Sequence, residues 1–403
     1  MANNVDLGTA KSAKQDEFYT QYEDIQAEVN AYLEYNPDTF RDKVVLLPCD
    51  DPEWSNFTKF FAQNFEALGL KKLISTSYAS ESKKKNGQLS IFDFITDFEK
   101  NSPEYDEKKT KVKGKIFTLT RRSKKVDIND LNWKYLKGDG DFQSDEVKAL
   151  RDEADIIVTN PPFSKFRPFY AWIKEAGKDF LIIGNQNAIA YKEIFPDIKN
   201  NKMWLGCTIH SGDREFQVPD NYPLNASGFR IDENGKKYIR VKGVRWFTNL
   251  DHGRRPQPMS LMTMADNKKY SKHKEIRNQE YRHYDNYDAI DIPFSDAIPS
   301  DYKKVMGVPI TFMDKFCPEQ FEILGISKTW ATEFEVKKTR IYKNAVQYNK
   351  NGSTTSGNKV NNGGVIAFSE KPDDIYYIDE NEPHKYLRQV YTRIFIQKKD
   401  NNR

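Results

Sequence analysis

Asp155-Ile156-Ile157-Val158-Thr159 runs directly into Asn160-Pro161-Pro162-Phe163, and this junction decides how the chain is read. The first five residues predict a buried parallel strand: short, β-branched and bounded by a breaker. Two consecutive prolines stop it abruptly and fix a rigid turn at its carboxyl end. In an open α/β sheet, that edge is where ligands bind. The turn offers an amide side chain, proline carbonyls and an aromatic face. An exocyclic amino group on a planar ring needs those parts: acceptors for two N–H bonds and a π surface for the ring. Asn160, Pro161, Pro162 and Phe163 are therefore the candidate catalytic residues. The plainer alternative is a turn that closes a strand, with Asn160 as a local cap and Phe163 as core.

Adenine N6 is such an amino group. Its lone pair is delocalised into the purine, so it is a poor nucleophile. The Asn160 side-chain oxygen and the Pro161 carbonyl can hold both N6 hydrogens and favour a more tetrahedral nitrogen. Charge that develops as N6 attacks an electrophilic methyl then meets preorganised dipoles. Phe163 can stack on the base, an interaction worth about 1–3 kcal/mol in other base–aromatic pairs.

Outward from the motif, strands and helices alternate. Lys43-Val44-Val45-Leu46-Leu47 predicts a first buried strand, followed by the loop Pro48-Cys49-Asp50-Asp51-Pro52. A helix fits 54–68, where Phe57, Phe60, Phe61, Phe65 and Leu68 recur at helical spacing as core, and Gly69 supplies its stop. Residues 71–77 predict a second strand, 144–152 a short helix, 166–176 another, and 180–184 a further strand. This alternation over 43–205 argues for an α/β fold with a doubly wound, mostly parallel sheet. Residues 79–128 lose periodicity and form a basic excursion with one hairpin near 115–119. After residue 210 the texture changes to short strands, turns and polar or aromatic residues, as a recognition lobe requires. The 342–364 stretch, rich in Asn, Gly, Ser and Thr, reads as a mobile loop, and 391–396 as a closing strand.

Over 403 residues the net charge is only +4, so distribution is more informative than balance. Residues 108–125 hold nine Lys/Arg, Lys115, Arg121 and Arg122 among them, and no acid. Residues 254–284 hold eight basic side chains against three acids, interleaved with Tyr270, Tyr281 and Tyr284. Such patches suit phosphate neutralisation, and Arg121, Arg122, Arg254, Arg255, Lys268 and Lys269 are the candidate nucleic-acid contacts. Solvated surface loops are the bland alternative. Cys49, Cys207 and Cys317 lie far apart without a zinc spacing, which suits a reducing cytosol and gives no metal site. Residues 1–15 read as a disordered tail, not a signal peptide, and no later run approaches a membrane span. A cytoplasmic protein is expected.

With these residues in view, the chain resembles adenine-N6 DNA methyltransferases of the EcoRI modification methylase family, over roughly 14–326. Blocks that carry the resemblance include Asp16-Glu17-Phe18-Tyr19-Thr20, Cys49-Asp50-Asp51-Pro52, Ser55-Asn56-Phe57, Gly138-Asp139-Gly140-Asp141-Phe142, Thr159-Asn160-Pro161-Pro162-Phe163-Ser164, Trp204-Leu205-Gly206 and Val305-Met306-Gly307-Val308-Pro309. The resemblance implies a Rossmann-like doubly wound methyltransferase sheet with a C-terminal target-recognition lobe. It implies S-adenosylmethionine as methyl donor and a target adenine flipped out of double-stranded DNA. It further implies a catalytic domain over 16–205 and a target-recognition region over 206–326, and leaves 327–403, with the Asn/Gly-rich loop, as a C-terminal extension beyond the resemblance. Phe18, Tyr19 and Thr20 then fold over the cofactor. Cys49 belongs to the cofactor loop, where Asp50 or Asp51 meets the methionine ammonium, and Asp139 or Asp141 accepts from the cofactor's adenine. The chain departs from the wider superfamily in lacking a glycine-rich loop after its first strand. Its second strand ends in Ser75-Thr76-Ser77, without an acid for ribose hydroxyls.

A site-specific DNA adenine-N6 methyltransferase that protects DNA from a partner restriction endonuclease is the leading expectation; its oligomeric state is open, although half-methylated sites can be modified by a monomer. Methylation of RNA adenine or of a protein glutamine amide uses a similar planar amino group. A DNA-binding relic without transfer activity is the non-enzymatic alternative.

Overall fold

The computed structural model describes residues 20–53, 55–79, 105–121, 132–209, 213–218, 229–255 and 257–399. They divide into two compact units. The first runs to Gln186 and resumes over Met203–Gly253; the second takes Asn187–Lys202 and the chain from Arg254. The segment 213–248, read from sequence as part of a recognition region, thus belongs to the first unit.

In the first unit, helix α1 (Tyr22–Tyr35) leads into β1 (Val44–Leu47), α2 (Asn56–Gln63) and β2 (Lys72–Thr76). There follow α3 (Glu107–Val112), β3 (Lys115–Thr120), β4 (Lys134–Tyr135), α4 (Asp145–Glu153), β5 (Ile156–Thr159), α5 (Phe166–Glu175) and β6 (Asp179–Asn185). Strands β7 (Trp204–Leu205), β8 (Asp213–Val218), β9 (Arg230–Ile231), β10 (Lys237–Lys242) and β11 (Val244–Thr248) complete the unit.

An eight-stranded sheet in the order β4-β3-β2-β1-β5-β6-β11-β7 forms its centre. The four middle strands β2, β1, β5 and β6 are parallel. Their neighbours β3 and β11 run antiparallel, so the sheet is mixed. Every residue of β1 and β5 is buried, as runs rich in Val, Ile and Leu in a sheet covered on both faces should be. Helix α2 starts where Ser55 accepts from the Phe57 N–H at 3.0 Å, the cap that its sequence supplies. It ends at Gln63, short of the expected 68, and turns carry the chain to Gly69, whose φ of +64° only glycine adopts at little cost. Phe57, Phe60 and Phe61 are buried from it, and α5 buries Phe166, Phe169, Tyr170, Trp172 and Ile173. A separate three-stranded sheet, β8-β10-β9, shares the same core through Phe216, Val218, Ile239 and Val241.

The second unit contains α6 (Phe195–Lys199) and α7 (Met264–Tyr270), with two sheets built on strands β12 to β20. Strands β12 (Ile290–Asp291), β13 (Met306–Pro309), β14 (Phe321–Ile326) and β20 (Arg393–Lys398) pair in the order β12-β13-β20-β14. The closing strand of the chain is therefore an interior strand. Arg393 reinforces it by donating to the buried Asp291 at 2.8 Å. The other sheet joins β15 (Ala345–Tyr348), β16 (Thr354–Ser356), β17 (Val365–Phe368), β18 (Tyr376–Asp379) and β19 (Tyr386–Gln389) in the order β16-β15-β18-β19-β17. The 342–364 stretch is thus not a loop throughout: it holds a hairpin and a 3-10 turn over Gly357–Asn362. Among the described residues, no helix is long and apolar enough to cross a membrane.

Candidate active site

Strand β1 pairs with β2 on one side and β5 on the other, so chain order turns outward in both directions from it. That is the topological position at which an open parallel sheet forms its ligand crevice, at the carboxyl ends of the strands. The Pro48-Cys49-Asp50-Asp51 loop leaves β1 there, and Asn160 leaves β5 beside it.

Asp50 anchors this edge. Its carboxylate accepts from the Ser55 hydroxyl at 2.6 Å and from the Thr159 hydroxyl at 2.6 Å. Its carbonyl accepts from Ser75 at 2.5 Å, and its N–H donates to the Thr76 carbonyl at 3.0 Å. One residue thus ties together β1, β2, β5 and the start of α2. The carboxyl is buried, and burial lifts it to about 7 despite the two hydroxyl donors. Both of its oxygens are committed to hydrogen bonds within the protein.

The Asp51 side chain is also buried, and its Oδ2 makes no hydrogen bond. Lys115 lies 3.5 Å from that atom, pairs with Glu53, and sits 4.8 Å from the centre of the Trp133 ring. Lys115 is only 2% exposed. It therefore cannot serve with the basic excursion as a phosphate contact, as its surroundings in sequence suggested. Its ammonium lies between the two carboxylates and the face of the indole ring.

The 138–141 turn comes to the same edge through backbone contacts. Ala79 N–H donates to the Asp139 carbonyl at 2.7 Å, and Gly114 N–H to the Gly138 carbonyl at 3.0 Å. Gly140, at φ +82°, lies against the Ser77 carbonyl where a Cβ would collide. Asp139 and Asp141 are half-buried and each accepts a local N–H, from Asp141 at 3.1 Å and from Gln143 at 2.8 Å. Cys49 is half-buried in the β1 loop.

In the motif itself, Asn160 donates from Nδ2 to the Thr20 hydroxyl at 3.3 Å. Thr20 in turn accepts, on its carbonyl, from Asn56 Nδ2 at 2.8 Å. Pro161 is buried, and Pro162 accepts from Lys165 N–H at 2.8 Å to start the 3-10 turn Phe163–Lys165. Phe163 is half-buried and packs on the first unit's core. Phe18 and Tyr19 lie outside the described residues, as does Arg122.

The candidate DNA contacts fall into different settings. Arg121 donates to the Gly69 and Leu70 carbonyls and pairs with Asp42, at the amino edge of the parallel strands and so opposite Asn160. In the second unit, Arg254 and Lys269 are exposed, and Lys269 lies 4.9 Å from the exposed Tyr270 ring. Arg255 donates to Asn201, and Lys268 pairs with Glu280. The sequence reading does not single out Ser55, Asn56 and Thr159, which it quotes only within longer blocks; the structure joins them to Asp50 and Thr20.

A family model described as adenine-specific methyltransferase EcoRI matches residues 6–399. The chain belongs to the EcoRI methylase family of adenine-specific methyltransferases. Within that family it is 43% identical over 327 residues to the Type II methyltransferase M.EcoRI of Escherichia coli, covering 81% of this chain and 90% of the relative. It is 35% identical over 337 residues to the Type II methyltransferase M.MpnI of Mycoplasma pneumoniae, covering 83% and 89%. The Type II methyltransferase M.MgeORF184P of Mycoplasma genitalium is 35% identical over 327 residues, covering 80% and 87%. No solved structure matches the chain. The family match runs through β20, in keeping with that strand's interior place in its sheet.

Proposed function

We propose that this chain is the modification enzyme of a type II restriction–modification system, transferring a methyl group from S-adenosylmethionine directly to N6 of an adenine flipped out of duplex DNA. The observation that carries the reading is Asn160-Pro161-Pro162-Phe163 at the carboxyl end of β5, beside the β1 loop, in a chain of adenine-specific methyltransferase family. The strand order supports a Rossmann-like catalytic sheet, and the second unit with its basic and aromatic surface supports a target-recognition lobe.

The residues at this edge fit the cofactor. Asp51 Oδ2, buried without a hydrogen bond, is suited to the ammonium of the methionine moiety. Asp139 or Asp141, held by the turn beside β2, is suited to the adenine amino group. When bound, the cofactor supplies an electrophilic methyl on a sulfonium. Asn160 and the Pro161 carbonyl accept from the two N6 hydrogens, concentrating the lone pair on nitrogen, while Phe163 covers a face of the base. N6 gains the methyl as the carbon–sulfur bond breaks, its electron pair staying on sulfur, and releases one proton to water. No covalent enzyme intermediate is formed, because N6 itself attacks.

Incubation with S-adenosylmethionine and unmethylated plasmid, followed by nucleoside mass spectrometry, tests this reading. N6-methyldeoxyadenosine should accumulate, and total RNA should gain none. Methyl transfer to RNA with none to DNA would overturn the substrate assignment.

A further inference from the structure

The hydrogen bonds at the sheet edge close into a ring. Asp50 takes Thr159 on one carboxylate oxygen and Ser55 on the other. Thr159 is followed by Asn160, which donates to the Thr20 hydroxyl. Ser55 is followed by Asn56, which donates to the Thr20 carbonyl. Four separate stretches of chain are thus held in one circuit, and Thr20 is the member that meets the Asn160 amide.

The direction of that hydrogen bond has a consequence for the reaction. An asparagine side chain is donor at one end and acceptor at the other. Only the acceptor end helps methyl transfer, because the N6 amino group brings hydrogens and needs oxygens. Turned by 180°, the amide would present N–H to N–H and oppose binding. In this structure Nδ2 faces Thr20 and Oδ1 lies at the other end of the amide. The Thr20 hydroxyl, donor as well as acceptor, fixes where the amide sits, and the N6 hydrogens select its acceptor end. Thr20 itself is buried. The bond from Asn56 to its carbonyl, at the capped start of α2, fixes the threonine in turn.

We infer that Thr20 is a positioning residue, orienting the Asn160 amide for the substrate amino group rather than serving only as a cofactor contact. The inference rests on the proposed role of Asn160. A hydroxyl at position 20 is the essential element, so valine, which keeps the shape, should fail where serine succeeds.

Single-turnover methylation of duplex DNA at saturating S-adenosylmethionine tests this with T20V, T20S and N160A, alongside cofactor calorimetry and thermal melting. T20V should slow the chemical step roughly tenfold, the rate equivalent of removing one hydrogen bond, with cofactor Kd within about twofold of wild type. T20S should recover most of the rate. A wild-type T20V rate with inactive N160A would overturn the role of Thr20 alone. A weakened cofactor Kd with an unchanged single-turnover rate would make Thr20 a cofactor contact and nothing more. An active N160A would instead overturn the reading on which the inference rests. If T20V does not fold, a T20S rate as low as that of N160A would also overturn it.

Discussion

Thr159 donates its hydroxyl to the Asp50 carboxylate at 2.6 Å, joining residues 109 positions apart across β1 and β5. Through this bond the loop that leaves the first strand and the turn that carries Asn160 share one support. The support is titratable. Burial lifts Asp50 from 3.8 to about 7, so the folded state holds a proton more tightly than the unfolded chain. Its contribution to stability is complete below the unfolded pKa and is lost as pH rises through 7. Between pH 5 and 8.5 the wild type should lose on the order of 2–3 kcal/mol more than Asp50→Asn. Urea melts of both proteins at the two pH values measure the difference. Equal losses would remove Asp50 as the titrating group.

Glu28 is fully buried on α1 and accepts from Cys207 N–H at 2.8 Å, Thr208 N–H at 2.8 Å and the Thr208 hydroxyl at 2.6 Å. Gly206 makes this approach possible: a Cβ there would collide with the Glu28 carboxylate and lie 2.6 Å from Trp246 Cβ. Gly206→Ala should therefore cost about 2–4 kcal/mol of stability, since neither the carboxylate nor the sheet residue can withdraw cheaply. Chemical denaturation reads this directly. A loss below about 0.5 kcal/mol would show that the helix moves freely at this point.

The same kind of close approach positions the 138–141 turn. Gly140→Ala forces both a strained φ and a collision with the Ser77 carbonyl, displacing the turn that bears Asp139 and Asp141. Calorimetry should show S-adenosylmethionine binding weakened by roughly tenfold or more, equivalent to about 1.4 kcal/mol. Unchanged affinity in a folded variant would place the cofactor's adenine away from these acids.

Much of the first unit is legible in the sequence. The strands at 44–47, 72–76 and 156–159 are short apolar runs between breakers, and the phenylalanine stripe of α2 follows helical spacing. What is not legible depends on distant pairing. Val244–Thr248 enters the first sheet between β6 and β7 as a reversed strand, and nothing in its local sequence names those partners. The Asn/Gly-rich stretch reads as a loop because its strands are polar. Asn351-Gly352 is in fact a hairpin turn, with Gly352 at φ +80° and Asn349 N–H donating to the Ser353 carbonyl at 2.9 Å. Gly357 likewise serves close backbone approach, because a Cβ there would strike the Ala345 carbonyl. At the site, the motif announces Asn160, but composition makes Lys115 a surface cation. Only the fold shows it enclosed by Asp51, Glu53 and Trp133.

Among the basic residues of the second unit, exposure ranks the expected contributions to DNA binding. Arg254 is exposed, whereas Lys268 is half-buried and paired with Glu280. Reversing Arg254 and Arg255 together should weaken binding and reduce the slope of log affinity against log salt by about 1–2, one for each phosphate no longer neutralised. Lys268→Glu should change the slope less. Fluorescence anisotropy across a salt series distinguishes these outcomes, and an unchanged slope for the double reversal would leave both arginines as ordinary surface.

The account as a whole turns on Asn160 acting at adenine N6. The most direct test is long-read sequencing of modified bases in plasmid DNA from a methylation-deficient host that expresses either wild type or Asn160→Ala, with soluble protein and DNA affinity confirmed for both. Wild type should mark N6-methyladenine at one short sequence motif, and the variant should leave that motif unmodified while binding DNA within a few fold. Equal modification by the two proteins, or none by the wild type, would contradict the account.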